Sequence, residues 1–364
     1  MIAQRAVAAL ARRIGVALAI VSATPAHAQP AAPTPADLRA ADAAVRALAD
    51  SGFSGVVLVA TGDVVRLARA YGTRGVHPTT RSAFWIASMT KGFTAATVLR
   101  LAERGRLSLD DSVGRFFPDA PADKRGIVVR QLLTHTSGID GRYAGGGIAG
   151  RAQAVAAILA QPLAFAPGQG YRYMDDDYQL LAAIVEVAAG RPWADVVEAE
   201  LLVPAGLTHT GFWCRRRPGA PTPIAGADGA RTRCTAPADW GHRGANGMSS
   251  TAGDLLRWTA VLRRGPVPGP ASRASLVAPQ VLVRREPPAD VSYGYGVRVL
   301  TVDGRVTELV HSGSGDDGHT GMVRVFPDGL TVIVLSNAGA HGGTTWSAHA
   351  ARRVVAALRP TATR

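Results

Sequence analysis

The apolar positions near the start of the chain follow a helical pattern and then a strand pattern. A helical stripe predicts a first helix with Thr34 as its N-cap and Pro35 in its first turn. The stripe consists of Leu38, Ala41, Val45 and Leu48. Two apolar runs at 54–60 and 64–71 follow, separated by a turn sequence at 61–63. We therefore expect a helix and then a β-hairpin.

Helical spacing dominates the middle of the chain, and strand patterns return in its tail. The predicted middle helices are 88–105, 153–160, 176–189, 193–202 and 250–262. The predicted tail strands are 293–302, 306–310, 322–326 and 330–335. Asp303-Gly304 and Pro327-Asp328-Gly329 mark two hairpin turns between these strands, and a last helix follows from Trp346.

Strands at both ends with helices between them predict an α+β fold. We expect an antiparallel sheet built from both termini and flanked by helices, with a mostly helical domain inserted in the middle. The predicted sheet domain comprises 29–85 and 285–364, and the predicted helical domain is 86–284. The active site is expected between the two.

Residues 1–28 have the pattern of a secretory signal peptide and are excluded from the predicted fold. An apolar run at 14–21 precedes a small-residue cleavage site at 26–28. The basic residues before that run are Arg5, Arg12 and Arg13. No later segment offers the roughly twenty uninterrupted apolar residues that a membrane-spanning helix needs. We expect an exported protein, periplasmic or secreted after cleavage near Ala28, without stable membrane insertion.

The composition adds a basic charge and two cysteines. The formal net charge is +13, but the arginines are scattered and are not interleaved with aromatic residues, so nucleic acid is not an expected partner. Cys214 and Cys234 can pair in an exported protein, and two free thiols remain the alternative. The oligomeric state is left open.

Ser88 and Lys91 are the first candidates for chemistry. At spacing i and i+3 in a helix the Lys91 amine can reach the Ser88 hydroxyl, which suits a base and its nucleophile. Only two of the forty Lys and Arg residues are lysines, Lys91 and Lys124, and lysine can lose its proton whereas arginine cannot. Burial and the helix N-terminus should lower the pKa of Lys91 and leave the Ser88 amide free to bind an oxyanion. Four residues alone also fit a helix-capping serine followed by a solvated lysine.

Further motifs downstream give this pair a context. They are Ser88-Met89-Thr90-Lys91, Gln131 to Gly138, Tyr173-Met174-Asp175, Gly247 to Ala252 and His311-Ser312-Gly313. In order and spacing the chain resembles the serine β-lactamase and penicillin-binding protein superfamily, in the class C-like branch that includes D-amino-acid-specific peptidases and carboxylesterases. The resemblance extends from Ser54 to about Asn337 and implies a β-lactamase/transpeptidase-like fold.

The resemblance implies a covalent mechanism. Ser88 would attack a carbonyl and form an acyl-enzyme, while Lys91 and Tyr173 would share one proton as a coupled base and acid. The backbone N–H groups of Ser88 and Ser314 would form the oxyanion hole. No cofactor is implied.

The substrate-binding strand departs from the family pattern. His311-Ser312-Gly313 stands where classical members carry Lys-Thr-Gly, so a fixed cation that would bind a substrate carboxylate is weakened. By this resemblance His311, Ser312, Gly313 and Ser314 would contact substrate. The replacement favours esterase or D-peptidase activity over efficient β-lactamase activity.

Asp175 is a second departure, because the classical residue there is Asn. An ionised Asp175 can only accept hydrogen bonds, and it would oppose a lowered pKa of Lys91. Our hypothesis is that Asp175 contacts substrate and shifts the working pH of the base upward.

Two tempting features are given structural roles. His135 is interpreted as a structural histidine at a helix end. The acidic run 175–177 lacks further ligands at metal-binding spacing and opens a helix, where acids are favoured, so no metal is predicted.

The sequence therefore predicts an exported serine hydrolase whose substrate is a β-lactam, a D-amino-acid peptide or a carboxylic ester. Its partners would be small molecules or peptides, including fragments derived from peptidoglycan. The alternative from another class is a penicillin-recognising binding or sensor protein that does not turn over.

Overall fold

An eight-stranded antiparallel sheet organises the fold. The computed structural model describes residues 32–72, 76–212, 223–226 and 239–359, within one compact unit that starts at Ala32. The predicted signal peptide and both cysteines, Cys214 and Cys234, lie outside the described residues.

The described strands lie mostly towards the two ends of the chain and most of the helices lie between them, as the sequence patterns predicted. The strands are β1 Gly55–Thr61, β2 Val64–Tyr71, β3 Phe84–Trp85, β4 Gly211–Phe212, β5 Met248–Ser250, β6 Val281–Glu286, β7 Ala289–Tyr293, β8 Arg298–Val302, β9 Arg305–Ser314, β10 Thr320–Val325, β11 Leu330–Ser336, β12 Ala340–His341 and β13 Thr344–Thr345. The α-helices are α1 Pro35–Asp50, α2 Thr90–Glu103, α3 Val113–Phe116, α4 Val129–Leu133, α5 Arg151–Leu159, α6 Asp175–Ala189, α7 Trp193–Val197, α8 Ala252–Arg264, α9 Pro270–Val277 and α10 Trp346–Leu358.

The strand order of the large sheet confirms the predicted fold class. The order is β2-β1-β11-β10-β9-β8-β7-β6, and each neighbouring pair is antiparallel. The first two strands in sequence come from the start of the chain and the other six from its tail, so the sheet is built from both ends. Most of the helices lie between β2 and β6 in sequence.

Helices cover the sheet on both faces, which explains why β1 is apolar along its whole length. Val57 and Val59 pack in one core with α1 and α10. Val56 and Leu58, which alternate with them, belong to the larger core that also contains residues of α2, α6 and α8. One strand therefore joins the two cores.

The cap of α1 is the one that the sequence predicted. Thr34 Oγ1 accepts a hydrogen bond from the Asp37 N–H, and the Asp37 carboxylate accepts from the Thr34 N–H, which completes a capping box. Pro35 occupies the first turn.

Two predicted elements differ in the structure. The α-helix near Ser88 begins only at Thr90, because Ala87–Met89 form a separate 3-10 turn. The predicted strand 293–302 is broken between Tyr293 and Arg298 by a turn in which Gly296 has a φ of 74°. A Cβ on Gly296 would lie 2.7 Å from backbone atoms of Lys91, so this turn packs directly on α2.

The sequence patterns missed β6 and the small three-stranded sheet β3-β5-β4. The two-residue strands of that sheet are too short to show a period. The division into a sheet domain and a helical domain stays a prediction, since the larger core contains residues of both. Within the described part of the chain, no helix is long and apolar enough to cross a membrane.

Candidate active site

Ser88 lies in the 3-10 turn that joins the small sheet to α2. The turn follows β3, which pairs with β5, and the Ile86 N–H donates to the Met248 carbonyl at 2.9 Å. Ala87 has a φ of 44°, a left-handed conformation that costs a non-glycine residue about 1 kcal/mol. The Ser88 side chain is partly exposed, whereas the first residues of α2 are buried. The fold therefore leaves this hydroxyl accessible at the edge of a rigid, buried support.

Lys91 is fully buried, and its amine donates to three acceptors. They are Ser88 Oγ at 3.2 Å, Asp175 Oδ1 at 2.5 Å and the Ala245 carbonyl oxygen at 3.1 Å. Ser88 and Lys91 stand at i and i+3 across the junction of the 3-10 turn and α2, which brings the amine close to the hydroxyl. The expected contact between Lys91 and Ser88 is confirmed.

The pKa of Lys91 moves in the direction opposite to the sequence prediction. Burial by itself lowers this pKa, but the Coulombic interactions and hydrogen bonds with Tyr173 and Asp175 outweigh burial and raise it above its ordinary value. The prediction of a lowered pKa is therefore wrong. Desolvation lowers the pKa of Lys91, but the direct contact with the Asp175 carboxylate acts in the opposite direction and contributes to the net increase.

Tyr173 lies beside Lys91, two residues before α6 begins. Lys91 Nζ is 4.7 Å from the centre of the Tyr173 ring. The same ring packs against His135, with 4.4 Å between the ring centres, and edge-on against Tyr293. The structure thus gathers Ser88 and Tyr173 around the amine of Lys91.

The three consecutive carboxylates at the start of α6 serve three different partners. Asp175 binds Lys91, as described above. Asp176 accepts hydrogen bonds from the N–H groups of Tyr143 and Ala144, at 2.6 and 2.7 Å, and so anchors the loop 141–150. Asp177 is fully buried and contacts His135 and Ser137. Burial raises the pKa of Asp176, and raises that of Asp177 well above its ordinary value.

Strand β9 packs directly against the turn that carries Ser88. A Cβ on Gly313 would lie 2.1 Å from the Ile86 carbonyl oxygen, so only glycine allows this approach. The ladder between β8 and β9 ends at the pair Arg298 and Val310. Beyond it, 311–314 pairs with β10 alone among the described residues, and we call the other side of this stretch its free edge. Ser314 is exposed at the end of β9.

His311 does not supply a cation at neutral pH. Burial, together with the positive charges of Arg298 and Lys91, lowers the pKa of His311 to about 3. Its Nδ1 lies 2.8 Å from the Ser312 carbonyl oxygen and donates to it. The side chain also lines an apolar cavity of about 230 Å³ that Phe93 and Trp258 help to enclose.

Arg298 is a residue near the site that sequence reasoning missed. Its guanidinium donates to Ser312 Oγ at 3.4 Å and lies 5.9 Å from the centre of the Tyr173 ring. The sequence predicted the hairpin of β8 and β9 from Asp303-Gly304. A register shift between Leu300 and Thr301, which the turn sequence does not reveal, decides that Arg298 lies opposite Val310. A cation therefore stands on the neighbouring strand, beside the position where the family pattern has lysine.

Asn246 is the second missed residue. Its amide nitrogen lies 3.5 Å from Asp175 Oδ2 and 3.4 Å from the Tyr143 hydroxyl. The Trp85 indole N–H donates to the Asn246 carbonyl oxygen. The family pattern has an asparagine at position 175, where this chain has Asp175. The side-chain amide of Asn246, two residues before β5, contacts that carboxylate.

The described residues, with their gaps at 73–75, 213–222 and 227–238, include no group of three or more His, Cys, Asp or Glu side chains placed to hold a metal ion. Much of the segment 213–244 lies outside the described residues, whereas the loop 141–150 is described.

The chain matches a known protein family over most of its length. The family model described as Beta-lactamase matches residues 41–357. Among curated proteins, a penicillin-binding protein of Bacillus subtilis (strain 168) is 28% identical over 313 residues, which are 78% of this chain and 68% of that protein. Esterase EstB of Burkholderia gladioli is 31% identical over 227 residues, covering 50% of this chain and 57% of the esterase.

A solved structure shows the same fold. The octameric penicillin-binding protein homologue from Pyrococcus abyssi has a TM-score of 0.76 and 22% sequence identity, and the match covers 89% of this chain and 78% of that one. The chain spans about two thirds of the length of the first curated relative and between a third and three fifths of the others named with it.

Proposed function

The chain belongs to the Beta-lactamase family, and on that basis we propose that it is a serine hydrolase that works through an acyl-enzyme on Ser88. The observation that carries the proposal is the fully buried Lys91 amine, held 3.2 Å from Ser88 Oγ and 2.5 Å from Asp175 Oδ1. A solvated lysine, the competing interpretation of the sequence, would have no reason for such burial.

In the proposed reaction the Ser88 oxygen attacks the substrate carbonyl carbon. The hydroxyl proton passes to the Lys91 and Tyr173 pair, which shares one proton and returns it to the departing amine or alcohol. Water then attacks the resulting ester, a carboxylic acid leaves and the Ser88 hydroxyl is restored. Because the pKa of Lys91 is raised, its ammonium also stabilises negative charge on the oxygens around it.

Strand β9 supports a second part of the mechanism. The backbone N–H groups of Ser88 and Ser314 are the proposed oxyanion donors, and the glycine contact of Gly313 with Ile86 keeps their two segments adjacent. In other acyl-transfer enzymes one such donor is worth about 3 kcal/mol of barrier. The free edge at 311–314 can also pair with an extended substrate, as a peptide adds to a sheet edge.

Arg298 favours a substrate with a carboxylate. Its guanidinium reaches Ser312 Oγ at the free edge of β9, and arginine binds carboxylates with two parallel hydrogen bonds. A short peptide that ends in a D-amino acid, as in peptidoglycan fragments, presents this group next to its last amide. A neutral carboxylic ester is the second candidate, because His311 is uncharged and borders an apolar cavity.

Export belongs to the same proposal. Residues 1–28 have the three-part pattern of a signal peptide. Expression of the whole chain in a bacterial host, followed by the intact mass of the protein recovered from the periplasm, tests this. A mass that still includes residues 1–28 would contradict it.

Turnover tests the activity. The purified protein is incubated with p-nitrophenyl butyrate, a chromogenic cephalosporin and a peptide ending in D-Ala-D-Ala, with Ser88→Ala as the matched control. We expect release of D-alanine above the control. A mass increase without turnover would instead favour a penicillin-recognising sensor, and identical behaviour of both proteins on every substrate would remove the hydrolase proposal.

A further inference from the structure

His135 is a buried histidine that the proposed reaction does not use. It follows α4, its side chain is completely buried, and its φ is 58°. That left-handed conformation is uncommon outside glycine, although Asn, Asp and His adopt it more often than other residues. A strained backbone at a buried polar residue is maintained only when its surroundings fix it.

The carbonyl oxygen and the imidazole Nδ1 of His135 both bind the segment that contains Tyr173. The His135 carbonyl oxygen accepts from the Arg172 N–H at 2.9 Å. The imidazole Nδ1 accepts from the Met174 N–H at 3.3 Å. The two N–H groups that flank Tyr173 are therefore both bound by one residue, and the imidazole packs on the phenol ring with 4.4 Å between the centres.

A buried carboxyl group contacts the same imidazole nitrogen. Asp177 Oδ2 lies 2.9 Å from His135 Nδ1, and the Ser137 hydroxyl donates to Asp177 Oδ1 at 2.5 Å. Because Nδ1 accepts from Met174, Asp177 binds it as a protonated carboxyl that donates to Nδ1, in line with a pKa that burial raises well above its ordinary value. Asp177 belongs to the first turn of α6, the same turn that carries Asp175. The position of Tyr173 is thus tied to the helix that also sets the Lys91 contact.

We propose that His135 is a positioning residue for Tyr173, holding its phenol oxygen at the distance from Lys91 and Ser88 that proton transfer needs. This rests on the proposed function. A misplacement of about 1 Å in a catalytic group can reduce a rate by roughly a hundredfold, so a residue that binds both flanks of Tyr173 controls catalysis without touching substrate.

The charges around His135 keep the imidazole neutral. Burial, and the positive charges of Lys91 and Arg298, lower the pKa of His135 well below its ordinary value. The other titratable groups that face it are Asp177, Tyr171, Tyr173, Tyr178 and Tyr293. A neutral imidazole that carries its proton on Nε2 accepts the Met174 N–H at Nδ1.

Two substitutions separate positioning from packing. His135→Phe keeps an aromatic ring and loses both side-chain hydrogen bonds. His135→Asn keeps an acceptor close to the Nδ1 position and tolerates the left-handed backbone. Tyr178→Phe is the control, because it removes a neighbouring buried hydrogen bond to the Leu133 carbonyl oxygen and leaves both flanks of Tyr173 bound.

Catalysis is the first readout. We expect kcat to fall about 30-fold or more in His135→Phe with KM within about threefold, at least a fivefold recovery in His135→Asn, and kcat near wild type in Tyr178→Phe. Equal kcat in His135→Phe and Tyr178→Phe, after correction for folded fraction from thermal melts, would overturn the proposal.

Hydrogen exchange of the segment 172–174 is the second readout and needs no turnover. We expect faster exchange of the Met174 amide in His135→Phe, near wild-type exchange in His135→Asn, and no change in Tyr178→Phe. Unchanged exchange in His135→Phe would overturn the proposal even if the enzyme were active. A wild type without any turnover would remove the proposed function, and the exchange result would still decide whether His135 holds Tyr173.

Discussion

The Lys91 amine and the Asp175 carboxylate lie 2.5 Å apart, and the lysine is fully buried. This contact, together with the interaction with Tyr173, keeps the pKa of Lys91 above its ordinary value although burial acts in the other direction. A carboxylate on another helix therefore favours the protonated form of Lys91 in the proposed catalytic pair.

Asp175→Asn should move the acidic limb of the rate profile to lower pH. Removing the carboxylate takes away one cause of the raised pKa of Lys91, so the amine loses its proton at lower pH. The measurement is kcat/KM between pH 4 and 10. Asp176→Asn is the matched control, because that neighbour binds the loop backbone instead. An acidic limb at the wild-type position in Asp175→Asn would rule the effect out.

Gly313→Ala should abolish most activity while the protein stays folded. The added methyl group would lie 2.1 Å from the Ile86 carbonyl oxygen, and backbone cannot move aside as a side chain can, so β9 must shift from the Ser88 turn. We expect kcat/KM to fall about a hundredfold. Gly321→Ala is the control, because Gly321 pairs with Gly313 across the sheet and its new methyl group meets side chains rather than backbone, namely the flexible end of Met89 and a methyl group of Leu335. Equal activity of the two variants would contradict the argument.

Arg298→Gln should lower kcat/KM for a substrate with a carboxylate much more than for a neutral ester. We expect kcat/KM for a peptide with a free C-terminal carboxylate to fall about 30-fold, as for the loss of a charged hydrogen bond, and that for p-nitrophenyl butyrate to change less than threefold. Arg352→Gln, an exposed arginine of α10, serves as a charge-matched control. An equal decrease of kcat/KM for both substrates would show that Arg298 does not bind the carboxylate.

His311→Gln should reduce the loss of stability in acid. The folded pKa of His311 is about 3 against an ordinary value of 6.5, so below pH 6.5 the unfolded chain binds a proton that the folded protein does not. The contribution of His311 to the free energy of unfolding is fully present above pH 6.5 and decreases as the pH falls toward 3. The decrease is on the order of 2 kcal/mol once the partial exposure of the side chain is allowed for. Urea unfolding at pH 7, 5.5 and 4 measures it. Parallel decreases in wild type and His311→Gln would contradict the expectation.

Local signals predicted much of the fold. The N-cap at Thr34, the turn at Asp303-Gly304 and the helix start, predicted at 176 and found at Asp175, each depend on neighbours within a few residues, and each was placed correctly or within a residue. The strand break at Gly296 was not predicted, because its cause is the backbone of α2 about two hundred residues earlier in the chain.

The same distinction holds at the candidate site. The contact of Ser88 with Lys91 is local and was predicted from spacing. The roles of Arg298 and His135 depend on a strand register and on a buried contact with Asp177, 42 residues away. The balance that sets the pKa of Lys91 needs a distance to Asp175, which no motif contains.

The acidic run at the start of α6 also constrains how this chain can vary in length. Successive residues of an α-helix are rotated by about 100°, so Asp175, Asp176 and Asp177 reach the amine, the loop 141–150 and the imidazole because of their order. Deleting or inserting one residue just before them would exchange these contacts although the acidic run itself stays unchanged. Insertions and deletions between Tyr173 and Asp177 should therefore yield inactive proteins.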